Sequence, residues 1–292
     1  MAHGHLHAMG VVDDEWARNL RAVIETVPVC ATLDEALAPL AALGLDVGAV
    51  RRYAQGARPE LRIALRAHGI TEYGEERALT IRVYTVEDPF ALYRLINAEM
   101  HSPDRGSGPG GISVGLRACF PYIKLLWVSL EELPPQFHFS GRCQRGVKWA
   151  FPTPQVHEPA RAGDHDPEAY FYEGREFYWF EFKSSSTQFG VMYDDCFCGD
   201  RGPRTIFTIE GVTCYLIKIF SAMQREEEAL FLPLTAFRVA SSQKRLEPQH
   251  LRPGAPAGGF PDEVQLVAPE AAVREAIPAE LKLTAGREVV DF

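Results

Sequence analysis

The chain has 292 residues, of which 46% are hydrophobic and 24% charged, a composition typical of a globular protein with a sizeable core. Its formal net charge is −9. This acidic balance argues against nucleic-acid binding, because phosphate groups are neutralised by clustered Lys and Arg, and against attraction to an anionic membrane.

The N-terminus and the lengths of the apolar runs bear on the cellular compartment of the protein. No apolar stretch approaches the roughly 20 residues of a membrane-spanning helix, and the first residues lack the apolar centre of a signal peptide. We therefore expect a cytoplasmic protein. Residues 1–10, MAHGHLHAMG, are interpreted as a tag or a disordered tail. The six cysteines form no CxxC pair, so no metal site is expected.

Helices are predicted in the first half of the chain. Residues 11–65 form a predicted helical N-terminal extension, in which Thr32 and Glu35 have the spacing of a capping box and Gly44 supplies a stop. Asp88 is predicted to cap a later helix, with Pro89 at its first position. The later helices are predicted in ITEYGEERALTIRVYT, FALYRLINAEM and FPYIKLLWVSLEEL.

Strands are predicted from residue 137 onward, where short runs rich in aromatic and β-branched residues alternate with Gly, Asp and Pro clusters. Helices followed by a run of strands favour an α+β fold. Residues 241–292 are predicted to be a Pro- and Gly-rich C-terminal tail, weakly helical towards its end. The predicted strands cover residues 137–149, 176–184, 204–209, 213–220, 229–233 and 236–240.

Two of these strands carry groups suited to binding. Arg145 presents a fixed fork of donors that suits a phosphate group, and Gly146 would let a ligand approach the backbone. With the two-residue period of a strand, Phe182 shares a face with Ser184, whose hydroxyl can orient a carboxylate. An ordinary surface arginine and a polar strand end are the alternatives. No G-x-S-x-G motif surrounds the serines, which disfavours a hydrolase nucleophile.

The stretch QREEEALFLP carries the third group. If strand geometry begins before Ala229, Glu226 and Glu228 point to one face and Glu227 to the other. Two carboxylates on one side of an apolar strand suit acid/base chemistry. A solvated acidic turn is the alternative.

In this order the three motifs resemble the arginine-specific mono-ADP-ribosyltransferases of the R-S-E class. The resemblance spans about residues 66–240, and it includes the predicted helices before the arginine strand and the segments TIFTI and IKIFS. It implies that residues 66–240 form a catalytic domain with a helical lobe followed by a mixed β-sheet core, a two-sheet β-sandwich. It also implies NAD as co-substrate and an arginine-bearing protein as acceptor.

The resemblance implies a role for each motif. Arg145 would hold NAD through its phosphate and ribose, and the Gly146 backbone would grip the carboxamide. Ser184 would position Glu228, the catalytic glutamate. Glu226 would engage the acceptor guanidinium.

Two secondary contacts with NAD follow from the same resemblance. Phe197 would stack on nicotinamide and Arg204 would bind a phosphate; a core Phe and a surface Arg are the alternatives. The sequence departs from the family pattern at Gln144, where Tyr is frequent, and at Met223 and Gln224, where many relatives carry an aromatic residue and Pro. An NAD glycohydrolase and a catalytically silent NAD-binding or interaction module remain as alternative functions.

Overall fold

The computed structural model describes residues 11–12, 14–102, 105–106, 108, 111–148, 171–195, 197–223, 227–243 and 260–269. Residues 1–10, interpreted as a tag or tail, lie outside this part. After a short strand β1 (Val11–Val12), which lies in the segment predicted to be helical, the described chain forms six α-helices before its other strands, so the order of helices before strands is as predicted. They are α1 (Asp14–Thr26), α2 (Leu33–Leu37), α3 (Val47–Ala67), α4 (Glu75–Tyr84), α5 (Leu92–His101) and α6 (Val114–Glu131).

The ends of the helices confirm some of the predicted signals and correct another. At α2 the Thr32 side chain accepts from the Glu35 amide and the Glu35 side chain accepts from the Thr32 amide, which is the predicted capping box. Gly44 has a φ of 88° and ends the 3₁₀ turn that follows α2. The prediction that Asp88 caps the next helix is wrong. Ala91 has a left-handed conformation with a φ of 38°, and the helix α5 begins only after it, at Leu92.

Helix α6 lies at the centre of the helical lobe. Its apolar residues Ile123, Leu125 and Leu126 are fully buried, and α4 is buried along most of its length. The same core includes Phe182 and Leu230 of the sheet, so the lobe and the sheet share one apolar interior. No helix in the described residues is long and apolar enough to cross a membrane.

Ten strands in the described part of the chain form the mixed sheet. In the sheet they follow the order β1-β4-β9-β10-β6-β3-β5-β8-β7-β2, and only β10 and β6 run parallel to each other among the described pairs. The strands after β1 are β2 (His138–Phe139), β3 (Cys143–Val147), β4 (Glu176–Trp179), β5 (Lys183–Ser186), β6 (Thr205–Glu210), β7 (Cys214–Leu216), β8 (Glu228–Phe231), β9 (Thr235–Gln243) and β10 (Asp262–Val267).

The sheet curls so that its two halves face each other across an aromatic core. The Trp179 ring on β4 lies 6.0 Å from the Phe231 ring on β8 and 5.8 Å from the Phe207 ring on β6, centroid to centroid. Strands β4 and β5 follow one another in the chain, yet four other strands separate them in the sheet. The described strands thus form one curled mixed sheet, and the predicted two-sheet β-sandwich arrangement stays a prediction.

Several predicted strands end earlier than expected. The described part of the segment 137–149, which ends at residue 148, contains β2 and β3, and the segment 176–184 divides at the bend around Glu181 into β4 and the start of β5. After Leu216 the chain turns, and within this turn the Phe220 amide donates to the Ile217 carbonyl at 2.9 Å. Local propensity predicted the strands within these segments, but tertiary context decides where each strand breaks, and residues 217–220 turn where a strand was predicted.

The prediction for residues 241–292 is wrong over Asp262–Val267. This segment is strand β10, which pairs with β6 on one side and β9 on the other. Val264 and Leu266 are fully buried in the core, while Gln265 between them is exposed. The alternation is the two-residue period of a strand, within a tail whose Pro and Gly content had suggested irregular structure.

Candidate active site

A cleft of about 290 Å³ lies between the helical lobe and the sheet. Four residues predicted for the site line it: Arg145, Ser184, Phe197 and Glu228. The helical lobe contributes Tyr84, Thr85, Glu87, Tyr93 and Asn97. A larger cleft of about 480 Å³ has only one charged residue in its lining, Arg21, whose guanidinium lies over the Trp127 ring. The cleft between the lobe and the sheet therefore gathers more charged side chains than this apolar one, among them Arg145, Glu181 and Glu228.

Three neighbouring strands carry the central groups. Strands β3, β5 and β8 are adjacent in the sheet, and each supplies one of Arg145, Ser184 and Glu228. The Ser184 hydroxyl donates to Glu228 Oε1 at 2.8 Å. The Arg145 guanidinium donates through Nη1 to the Ser184 carbonyl at 2.6 Å. One serine therefore contacts both charged groups, through its side chain and its backbone.

A second hydroxyl holds the other oxygen of the glutamate. Ser221 Oγ donates to Glu228 Oε2 at 3.1 Å, and Ser221 is fully buried. Glu228 itself is only 9% exposed. Both oxygens of a nearly buried carboxylate thus accept hydrogen bonds from hydroxyls, an arrangement that suits the ionised form.

The glutamate run divides between the cleft and the surface. Glu228 lines the cleft, whereas Glu227 forms an ion pair with Lys218 in which both side chains are about half exposed. The Glu227 carbonyl also accepts from the Thr187 amide at 3.1 Å. Glu226, predicted to engage the acceptor, lies outside the described residues.

A buried charged cluster adjoins Arg145, and its Glu181 also lines the cleft. Glu181 and Lys183 are 5% and 3% exposed, and the Glu181 carboxylate pairs with both Lys183 Nζ and His101 Nε2. Burial alone would raise the pKa of Glu181, but Lys183 and His101 outweigh it and lower the pKa to about 2. Burial lowers the pKa of Lys183 to about 8, with Arg145 adding to the lowering against the opposing effect of Glu181. Burial also lowers the pKa of Arg145, which Glu181 partly offsets.

Gly146 is required by packing. A Cβ atom at this position would lie 2.5 Å from the Cys198 Cβ, so the loop after the short 3₁₀ helix Phe189–Tyr193 lies directly on β3. The same loop carries Phe197, which is half-buried and lines the cleft. The predicted grip of the Gly146 backbone on a carboxamide stays a prediction.

Arg204 lies apart from the cleft lining. It is 2% exposed, which makes the surface-arginine alternative wrong, and its Nη1 donates to the Gly199 carbonyl at 2.7 Å. The contact braces the loop that carries Phe197. A phosphate contact by Arg204 stays a prediction.

Sequence reasoning did not identify several residues that line the cleft or hold its glutamate. Ser221, Thr85 and Asn97 come from turns and helices whose approach to the strands depends on tertiary packing, and no motif marks them. The Asn97 Oδ1 atom is buried and has no hydrogen-bond partner in the described structure. Burial raises the pKa of Tyr84 well above its ordinary value, so its hydroxyl remains neutral. For the buried pair Glu181 and Lys183, opposite charges two positions apart in an apolar segment were the available signal.

The geometry defines what the cleft can do. A guanidinium suits an anionic group such as a phosphate, and a fixed carboxylate stabilises positive charge that develops nearby. Within the described ranges, no group of three or more His, Cys, Asp or Glu side chains is placed to hold a metal ion.

Comparison with known proteins gives similarity to solved structures only. No protein-family model matches the sequence, and no curated protein sequence matches it. The chain is similar to the ADP-ribosyltransferase HopU1 of Pseudomonas syringae pv. Tomato DC3000, at 17% identity with 74% of this chain and 82% of that chain covered and a TM-score of 0.45. The eucaryotic mono-ADP-ribosyltransferase ART2.2 is 14% identical, with 90% and 93% covered and a TM-score of 0.49. The ADP-ribosyltransferase Vis of Vibrio splendidus, in complex with agmatine, is 16% identical, with 78% and 88% covered and a TM-score of 0.44.

Proposed function

We propose that this protein is an NAD-dependent mono-ADP-ribosyltransferase that transfers ADP-ribose to arginine side chains and releases nicotinamide. The observation that carries the proposal is the meeting of Arg145, Ser184 and Glu228 in one cleft, with Ser184 Oγ 2.8 Å from Glu228 Oε1. These are the residues that the three motifs in the sequence single out.

The groups of the cleft fit NAD. A guanidinium has five N–H donors, so Arg145 keeps donors for a phosphate after its bond to the Ser184 carbonyl. The unpartnered Asn97 Oδ1 can accept a hydrogen bond from a hydroxyl or an amide of the ligand. A volume of about 290 Å³ lies near the lower limit of small-molecule pockets, which suits the nicotinamide-ribose end of NAD.

The reaction needs a carboxylate where positive charge develops. Breaking the bond between the ribose C1′ and the nicotinamide nitrogen leaves an oxocarbenium-like ribose, and nicotinamide departs with the bonding electrons. Glu228 stabilises this charge and accepts a hydrogen bond from the ribose 2′-hydroxyl. Ser184 and Ser221 fix the carboxylate beforehand, so it does not have to reorient during the reaction.

The choice of arginine rests on the sequence around Glu226. A guanidinium is protonated at neutral pH and is a poor nucleophile. A second carboxylate has to orient it and accept a proton as the new bond to C1′ forms. The glutamate at position 226, two residues before Glu228, supplies that group in this proposal.

The test incubates the purified protein with labelled NAD, with and without agmatine, a small guanidinium compound. We expect nicotinamide release and ADP-ribosyl-agmatine from the wild type, neither from Glu228→Gln, and continued NAD hydrolysis with reduced transfer from Glu226→Ala. Near-normal transfer by Glu228→Gln would overturn the proposal. Nicotinamide release without an agmatine adduct would indicate a glycohydrolase or another acceptor, and NAD binding without cleavage a silent module.

A further inference from the structure

We propose, on the basis of the function above, that Ser221 and Thr85 are positioning residues. They determine how much of the ADP-ribose cleaved from NAD is transferred to the arginine acceptor and how much reacts with water. They do so by attaching the loop before Glu228 to the catalytic carboxylate and to the helical lobe.

Ser221 links the loop to the carboxylate. Its hydroxyl proton is donated to Glu228 Oε2 at 3.1 Å, and its oxygen accepts from the Met223 amide at 3.0 Å. A hydroxyl has one proton and two lone pairs, so one buried side chain satisfies both contacts. The direction of the chain at Met223 is therefore tied to the position of Glu228.

Thr85 links the same turn to the helical lobe. Its Oγ1 accepts from the Ala222 amide at 2.8 Å and donates to the Arg82 carbonyl, near the end of α4, at 2.9 Å. Consecutive amides of the turn, Ala222 and Met223, are thus held by two hydroxyls from different parts of the fold.

These contacts bound the stretch that carries Glu226. The loop is closed at its base by the Ile217 amide, which donates to the Glu228 carbonyl at 3.0 Å. On one side of positions 224–226, the Met223 amide is held by Ser221. On the other side, the Glu227 carbonyl accepts from the Thr187 amide. The described anchors therefore fix Met223 and Glu227, the described residues on either side of positions 224–226.

The two reactions depend differently on these anchors. Cleavage of NAD followed by hydrolysis requires Glu228 and a water molecule, whereas transfer also requires a fixed acceptor, and small displacements of a reacting group cost large factors in rate. Loosening the anchors should reduce transfer more than cleavage. A general loss of stability would instead reduce both activities in proportion.

The experiment measures ADP-ribosyl-agmatine and free ADP-ribose from labelled NAD at saturating agmatine. For Ser221→Ala we expect cleavage to fall about tenfold and the ratio of transfer to hydrolysis to fall by about a further tenfold. For Thr85→Val we expect the ratio of transfer to hydrolysis to fall about tenfold, by more than cleavage itself falls. Thr85→Ser keeps the hydroxyl and should keep the ratio.

Ser185→Ala is the matched control. Ser185 is 3% exposed, and its Oγ has no hydrogen-bond partner in the described structure, so the same truncation should leave both activities and the ratio unchanged. A melting curve checks that each variant is folded. If Ser221→Ala does not fold, the comparison of Thr85→Val with Thr85→Ser decides.

The outcomes separate this inference from the function on which it rests. A wild-type ratio in the folded Ser221→Ala or Thr85→Val variants, measured on an active wild type, overturns the inference and leaves the proposed function intact. An absence of NAD cleavage by the wild type defeats the proposed function, and the inference falls with it.

Discussion

The hydrogen bond between Ser184 and Glu228 runs diagonally across two antiparallel strands. In the register of β5 and β8, Ser184 faces Leu230 and Glu228 faces Ser186. Diagonal neighbours in a sheet are farther apart than direct ones, and the long glutamate side chain spans the difference. The contact therefore depends on the register of the two strands.

Replacing Ser184 tests this contact. We expect Ser184→Ala to lower kcat for NAD cleavage by about 10- to 100-fold, because a hydrogen bond to a charged group contributes roughly 1.5–3 kcal/mol. The KM for NAD and the melting temperature should change little. Steady-state kinetics of nicotinamide release measure the effect, with Ser185→Ala as control, and a change in kcat below twofold would contradict it.

Gly146 should tolerate no side chain. In Gly146→Ala the new Cβ would lie 2.5 Å from the Cys198 Cβ. Overpacking of this kind costs about 1–3 kcal/mol.

The free energy of unfolding in urea gives the size of the effect. Adding Cys198→Gly removes the opposing Cβ and should recover part of the loss, so that the two substitutions are not additive. Simple additivity would show that the clash is relieved elsewhere.

The cluster around Glu181 predicts a loss of stability in acid. The pKa of Glu181 is lowered from 4.5 to about 2 in the folded protein. The unfolded chain therefore binds the proton more readily, and the stabilisation is complete above about pH 4.5 and is lost as the pH falls through about 2. The loss should be roughly 3 kcal/mol.

Urea unfolding at a series of acidic pH values measures this loss. The double variant Glu181→Gln/Lys183→Met removes both charges, because removal of the carboxylate alone would leave Lys183 buried without its partner. We expect a weaker dependence of stability on pH for the double variant. An equal dependence would assign the acid sensitivity to other groups.

Strand β10 should contribute strongly to stability. Leu266 is fully buried, so Leu266→Ala should lower the free energy of unfolding by about 2–5 kcal/mol. The neighbouring Gln265 is exposed, and Gln265→Ala should change it by about 0.5 kcal/mol or less. Similar effects for the two variants would mean that the strand does not pack as described.

The sequence predicted the class of fold, and it singled out three residues that line the candidate cleft, because those signals are local. The capping box at Thr32 and the two-residue period around Ser184 depend on neighbours in the chain. Arg145, Ser184 and Glu228 follow one another in order, each at a strand, and their motifs could be read without knowledge of the sheet.

The remaining residues of the site depend on distant contacts. Ser221 reaches Glu228 because a turn follows β7, and Thr85 meets that turn only when α4 packs on the sheet. Strand β10 was missed because its alternation of Val264, Gln265 and Leu266 is short and lies in a tail rich in Pro and Gly. The helix after Asp88 begins later than its cap signal predicts, because the left-handed Ala91 precedes it.

The place of β10 in the sheet affects how the protein can be made. It joins the half that contains β9 to the half that contains β6, yet it is the last described strand to leave the ribosome. Until residues 262–267 emerge, β6 is an open edge, and open edges pair readily with other chains. A product truncated by a premature stop or by proteolysis before Asp262 would keep Arg145, Ser184 and Glu228, but it would carry two unpaired edges and tend to aggregate.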